Sequence, residues 1–130
     1  MSRGASEGLS RDRNLERSPS AAIKALPSGH ALLIVRRGYE EGSRFLLDAD
    51  LTTVGRHPNA DIFLDDVTVS RRHSEFRRHG NKFMIHDLAS LNGTYFDGVR
   101  IDSALLDDGA EVQIGKFKLT FFASRSDLGE

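Results

Sequence analysis

Residues 111–122, EVQIGKFKLTFF, decide the fold class. EVQI stops at Gly115-Lys116, and Phe117, Leu119 and Phe121 then alternate onto one face, as a half-buried strand requires. The same rhythm runs back along the chain. TYF meets VRI across Asp97-Gly98, a dipeptide suited to a two-residue type I′ turn. HSEFRRH (73–79) turns at Gly80-Asn81 into KFMIHDL (82–88), with Phe83 and Ile85 sharing a face. LTTV (51–54) stops at Gly55, and DIFL (61–64) stops at the acidic pair Asp65-Asp66. HALLIVRR (30–37) and SRFLLD (43–48) read as a further hairpin around Gly38. No segment repeats apolar residues at i, i+3, i+4 and i+7 over three turns. About ten short strands imply an all-β sandwich.

Residues 1–28 differ in composition. They hold five basic and three acidic residues, two of the three prolines and no aromatic. Such a segment buries too little apolar surface to offset its ordering entropy and reads as a disordered tail, with at most a short helix over Ala21 to Leu26. The expected organisation is a tail (1–28), a β domain (29–124) and a short C-terminal tail (125–130). The 130 residues suffice for one real core. Net charge is −1 and the pI about 6.5, which gives no bulk attraction to nucleic acid. No cysteine is present, which fits a reducing compartment. The longest apolar run, Ala31 to Val35, is too short to span a bilayer, and no apolar leader follows the N-terminal arginines. A cytoplasmic protein, without membrane association, is expected.

The stretch DDVTVSRRH (65–73) crowds carboxylates, a hydroxyl, guanidiniums and an imidazole together. As catalytic groups, Ser70 and His73 could pair, with Asp65, Asp66 or Asp87 orienting the ring. However, there is no strand–turn–helix elbow and no glycine near Ser70 to build one. The five histidines show no metal-ligand spacing; His79 and His86 read as solvated strand residues, and His73 as a half-buried ring fixing a loop. No enzyme, no metal and no cofactor are expected. An anion site draws on three strand ends: Gly55-Arg56, Ser70-Arg71 and Ser90-Leu91-Asn92-Gly93-Thr94. Arginine forks, a hydroxyl and loop N–H groups suit a phosphate monoester, and the Asn92 amide matches a peptide backbone.

GRHPNADIFLDDVTVSRRHSEF, followed by SLNGTYFDG, resembles the signature of the forkhead-associated (FHA) domain. The resemblance covers about His30 to Phe122 and implies an eleven-stranded β-sandwich that recognises phosphothreonine in peptides. It implies that Arg56 and Ser70 bind phosphate, that Arg71 assists, and that Asn92 holds the peptide backbone. Gly55, His73 and Gly93 then shape the loops, as do Asp65 and Asp66. Leu91 stands where some FHA domains carry a phosphate-contacting threonine, so it is not an expected ligand group. ALLIVRRG, GSRFLLD and VQIGKFKL are similar to the small actinobacterial single-FHA regulators of 2-oxoglutarate metabolism. That likeness implies inhibition of 2-oxoglutarate-consuming enzymes, released when a tail phosphothreonine folds back. The threonines here are Thr52, Thr53, Thr68, Thr94 and Thr120, so residues 1–28 contain none. Ser18 and Ser20, flanked by arginine and proline, are the expected phosphorylation sites.

Two functions follow as expectations. One is a monomeric phosphothreonine-peptide adaptor in Ser/Thr kinase pathways, with a Ser/Thr protein kinase or a metabolic enzyme among its partners. The other is a phospho-independent inhibitor of a 2-oxoglutarate-consuming enzyme, acting through the same loops.

Overall fold

The computed structural model describes residues 18–39 and 41–128. Among these, eleven strands form two sheets. One has six strands: β1 (Ala31–Arg37), β2 (Arg44–Leu47), β7 (Thr94–Phe96), β8 (Val99–Ile101), β10 (Glu111–Ile114) and β11 (Phe117–Ala123), in the order β2-β1-β11-β10-β7-β8. The other has five: β3 (Leu51–Gly55), β4 (Ile62–Phe63), β5 (Ser74–His79), β6 (Lys82–Asp87) and β9 (Ser103–Leu105), in the order β4-β3-β5-β6-β9. All neighbours pair antiparallel except β3 and β4, which are parallel.

Alternation sets the core. Phe117, Leu119 and Phe121 from β11 pack between the sheets with Val112 and Ile114, against Phe76, Phe83 and Ile85 of the other sheet. The Phe83 and Phe121 rings meet edge-to-face at 5.9 Å. The Asp97-Gly98 turn has φ of 48° and 86°, the left-handed pair a type I′ hairpin requires, and it registers Phe96 opposite Val99.

The tail boundaries need correction; residues 1–17 lie outside the described part. Residues 18–28 are not a coil. Ser18 caps a helix, α1 (Pro19–Lys24), its Oγ accepting from Ala21 N at 3.2 Å, with Pro19 at the first helical position. The apolar residues of that short segment are few but concentrated: Ala22, Ile23 and Leu26 pack on Leu32, Ile34, Leu46 and Phe122, the outward side chains of β1, β2 and β11. Long continuous burial along β1, Ala31 to Val35, is thereby explained: its outer face is covered by α1.

Nor do residues 125–128 form a free end. A 3₁₀ turn, Arg125–Asp127, places the Asp127 carboxylate to accept from Ser28 Oγ (2.5 Å), Gly29 N (2.7 Å) and Asn81 Nδ2 (3.2 Å). Ser124 Oγ donates to Leu26 O at 2.9 Å. Both chain segments are therefore clipped to the sandwich beside the β5–β6 turn. No helix among the described residues is long and apolar enough to cross a membrane.

Candidate functional site

Three loops meet at the sandwich end where β3 finishes and β5 begins. Gly55 closes β3 against the backbone of the 64–73 loop: a Cβ there would lie 2.0 Å from the Arg71 carbonyl oxygen, so no side chain fits. The contact is stitched by Arg56 N donating to Ser70 O (2.9 Å), His57 N to Arg71 O (3.3 Å) and His73 N to Val54 O (3.0 Å). Arg56 and Ser70 are thus held on adjoining backbones.

His73 is fully buried and joins two loops. Its Nδ1 accepts from Ser70 N at 3.1 Å, so Nε2 carries the proton and donates to Gly93 O at 2.9 Å. Burial holds the imidazole below its ordinary pKa, against the opposing pull of the Gly93 carbonyl and Asp87, and favours the neutral ring. Both nitrogens serve backbone groups. With both engaged in this way, His73 is not placed as a general base for the Ser70 hydroxyl.

Asp87 organises the third loop. It accepts from Ser90 Oγ (2.5 Å), Ser90 N (3.2 Å) and Thr94 Oγ1 (2.7 Å), and Ser90 Oγ in turn accepts from Gly93 N (3.0 Å). Burial would raise its pKa, but the Ser90 and Thr94 hydrogen bonds outweigh that and hold it below the usual carboxylate value. Gly93 has φ of 86°, and a Cβ would approach Arg100 Nε to 2.7 Å.

The outward groups are arranged by this frame. Ser70 Oγ accepts from Leu91 N at 3.0 Å, which leaves its hydroxyl proton to donate elsewhere. Asn92 Nδ2 donates to Thr68 O at 2.8 Å, leaving its carbonyl oxygen and second N–H open among the described residues. Arg56 and Arg71 are exposed, and no hydrogen bond or ion pair engages either side chain among the described residues. Two unspent guanidiniums, one hydroxyl proton and a pinned amide thus share one end of the sandwich.

Sequence reasoning missed Thr68, Lys116 and Tyr39. Thr68 Oγ1 donates to Asp66 Oδ2 (2.6 Å) and accepts from Lys116 N (2.9 Å), while Thr68 N also donates to Asp66 Oδ2 (2.9 Å). The Thr68 hydroxyl and N–H, assisted by Lys116 Nζ 3.1 Å from Asp66 Oδ1, lower the Asp66 pKa to about 2. Asp65 contributes its carbonyl, which accepts from Tyr39 OH at 2.6 Å. Asp65 and Asp66 shape the loop as expected, and the Asp66-x-Thr68 spacing is the signal that marks it, an aspartate bonding the backbone two residues on. His86, read as solvated, is instead half-buried, and burial followed by Arg77 lowers its pKa.

The fold is a two-sheet β-sandwich with its candidate groups gathered at one loop end, and comparison makes the class explicit. The FHA domain family matches residues 52–115. An oxoglutarate dehydrogenase inhibitor of Corynebacterium jeikeium is 57% identical over 101 residues, covering 78% of this chain and 70% of that protein. The chain belongs to the FHA domain family. The glycogen accumulation regulator GarA of Mycolicibacterium smegmatis is 60% identical over 101 residues, 78% of this chain; the chain spans 64% of GarA's length. A solved FHA domain from a study of phosphothreonine-dependent FHA interactions superposes with a TM-score of 0.66, at 29% identity over 72% of this chain and 95% of that one.

Proposed function

We propose that this chain is a phosphothreonine-peptide-binding adaptor in Ser/Thr kinase signalling, and not an enzyme. The observation that carries the reading is the cluster of unspent donors: Arg56, Ser70 and Arg71 beside the pinned Asn92 amide. Arg56, Ser70 and Arg71 bind the phosphate dianion through charge-assisted hydrogen bonds, and Asn92 holds the peptide backbone. Gly55, His73 and Gly93 set the loop positions. One chain supplies every group, so a monomer suffices, and cysteine-free composition fits the cytoplasm where such kinases act. Support also comes from the phosphothreonine dependence named for the similar solved domain.

A second reading rests on the name of the Corynebacterium relative: inhibition of a 2-oxoglutarate-consuming enzyme through the same loops without phosphate. Ser18 and Ser20 are the proposed phosphorylation sites; both are exposed at the start of α1, and phosphate on Ser18 would replace its cap. A pulldown from untreated and phosphatase-treated lysate separates the two functions. The adaptor loses its partners on phosphatase treatment; partners retained equally from both lysates refute the adaptor and support the inhibitor.

A further inference from the structure

Helix α1 covers one part of the outer face of the six-stranded sheet, and strand register sets the rows of that face. Leu46, Leu32 and Phe122 lie side by side in contact with α1, and Arg44, Ile34 and Thr120 form the next row along the strands. Arg36 stands beyond, its Nε donating to Thr120 Oγ1 at 3.2 Å. Arg44 is half-buried and its Nη1 is shut off from solvent. No hydrogen bond or ion pair engages its guanidinium among the described residues. Buried donors in folded proteins have acceptors, and the unmodified described residues give this one none.

The α1 segment brings a hydroxyl toward that row. Ser18, Ala22 and Leu26 are spaced by four and share one side of the segment, the side on which Ala22 and Leu26 are buried against the sheet. Ala22 N donates to Ser18 O at 2.9 Å, so the first of these steps is a helical turn. Leu26 O accepts from Ser124 Oγ just past the end of β11, which sets that end of the segment level with Ala31, the partner of Ala123. From there the stripe climbs at most about 12 Å to Ser18. On β1 the same distance from Ala31 ends between Ile34 and Arg36, at about 3.4 Å per residue. Ser20, two residues from Ala22, falls on the solvent side.

Resting on the reading of Ser18 as a phosphorylation site, we propose that this outer face holds a second phosphate site, in which Arg44, assisted by Arg36, receives a phosphate carried by Ser18. A Ser/Thr kinase moves the γ-phosphoryl group of ATP onto Ser18 Oγ, with ADP and the hydroxyl proton leaving. The dianion then meets a guanidinium that is already partly desolvated and unpaired among the described residues, where charge-assisted hydrogen bonds are strong. Phosphate on Ser18 thereby fastens α1 to the sandwich and leaves the Arg56 and Ser70 loops free for a peptide from another protein.

The test uses the full chain with phosphoserine genetically encoded in place of Ser18 or, as a control, of Ser20. Phosphate on Ser18 should raise the melting temperature by about 5 °C and slow tryptic cleavage at Lys24 about fivefold. Its phosphorus-31 titration midpoint should fall below the usual value of about 6. Phosphate on Ser20 should do none of these. Arg44→Gln should cancel all three effects while leaving the unphosphorylated chain within about 2 °C of the parent. Arg56→Ala should cancel none of them, and phosphate on Ser18 should change affinity for a phosphothreonine peptide by no more than about twofold. Absence of the three effects, their survival in Arg44→Gln, or their loss in Arg56→Ala overturns the second site. Mass spectrometry of the unmodified chain after incubation with ATP and a lysate of the source cells tests the underlying reading separately. Ser18 left unphosphorylated there refutes that reading, whatever Arg44 does with an installed phosphate.

Discussion

His73→Ala is the perturbation that best separates the frame from the ligand groups. The imidazole is fully buried and bridges Ser70 N and Gly93 O, so truncation orphans one donor and one acceptor and opens a ring-sized gap. An unsatisfied buried group costs about 1–3 kcal/mol, and Gly93 is buried while Ser70 is partly exposed. Together with the cavity, the loss should be roughly 2–5 kcal/mol. For a domain near 100 residues this lowers the melting temperature by about 10–30 °C without preventing folding at 20 °C. Circular dichroism melts measure it directly, alongside phosphopeptide anisotropy at low temperature. Binding should weaken because Ser70 loses its anchor. A variant that melts within 2 °C of the parent yet no longer binds would place His73 in contact with ligand and refute the bracing role.

Arg56→Ala should leave the melting temperature unchanged, since the side chain is exposed and unpaired among the described residues, and should weaken phosphopeptide binding by roughly 2–5 kcal/mol in calorimetry. Thr68→Val removes the hydroxyl that joins Asp66 to the Lys116 turn, and should weaken binding about tenfold through misplacement of the loop, with Thr68→Ser restoring it. Asp127→Ala should release the N-terminal clip, seen as a lower melting temperature and faster tryptic cleavage at Lys24. Urea titrations should show two pH windows. His73 and His86 resist protonation in the folded state, so the unfolded chain takes up more protons and stability falls as pH drops below about 6.5. Asp66, Asp87 and Asp127 are lowered, so their contribution is present above about 3.8 and is lost as pH falls through their folded values, near 2 for Asp66.

Strands with strong period-two alternation were legible. Phe117, Leu119 and Phe121, and likewise Phe83 and Ile85, face the core as their spacing demands. β9 was not legible, because Ser103-Ala104-Leu105 carries one half-buried small residue and gains its strand conformation from pairing with β6. Helix α1 was legible only as a weak short helix over Ala21 to Leu26, for the opposite reason. Its local composition is that of a tail, and what orders it is the apolar outer face of β1 and β11, invisible to any window containing the helix alone. At the site, residues with distinctive chemistry stood out: Gly55, Arg56, Ser70, His73 and Asn92. Thr68, Lys116 and Tyr39 did not, since each acts through a partner distant in sequence, such as Thr68 with Lys116 or Tyr39 with Asp65.

The central claim is that unspent donors at the loop end read phosphate on threonine. Isothermal calorimetry on the full chain, with one peptide bearing threonine, phosphoserine or phosphothreonine at its centre, tests this most directly. The account predicts binding of the phosphothreonine form, weaker binding of the phosphoserine form, none of the unmodified form, and loss of all binding in Arg56→Ala. Equal affinity for the unmodified and phosphorylated peptides, or full affinity retained in Arg56→Ala, would contradict it.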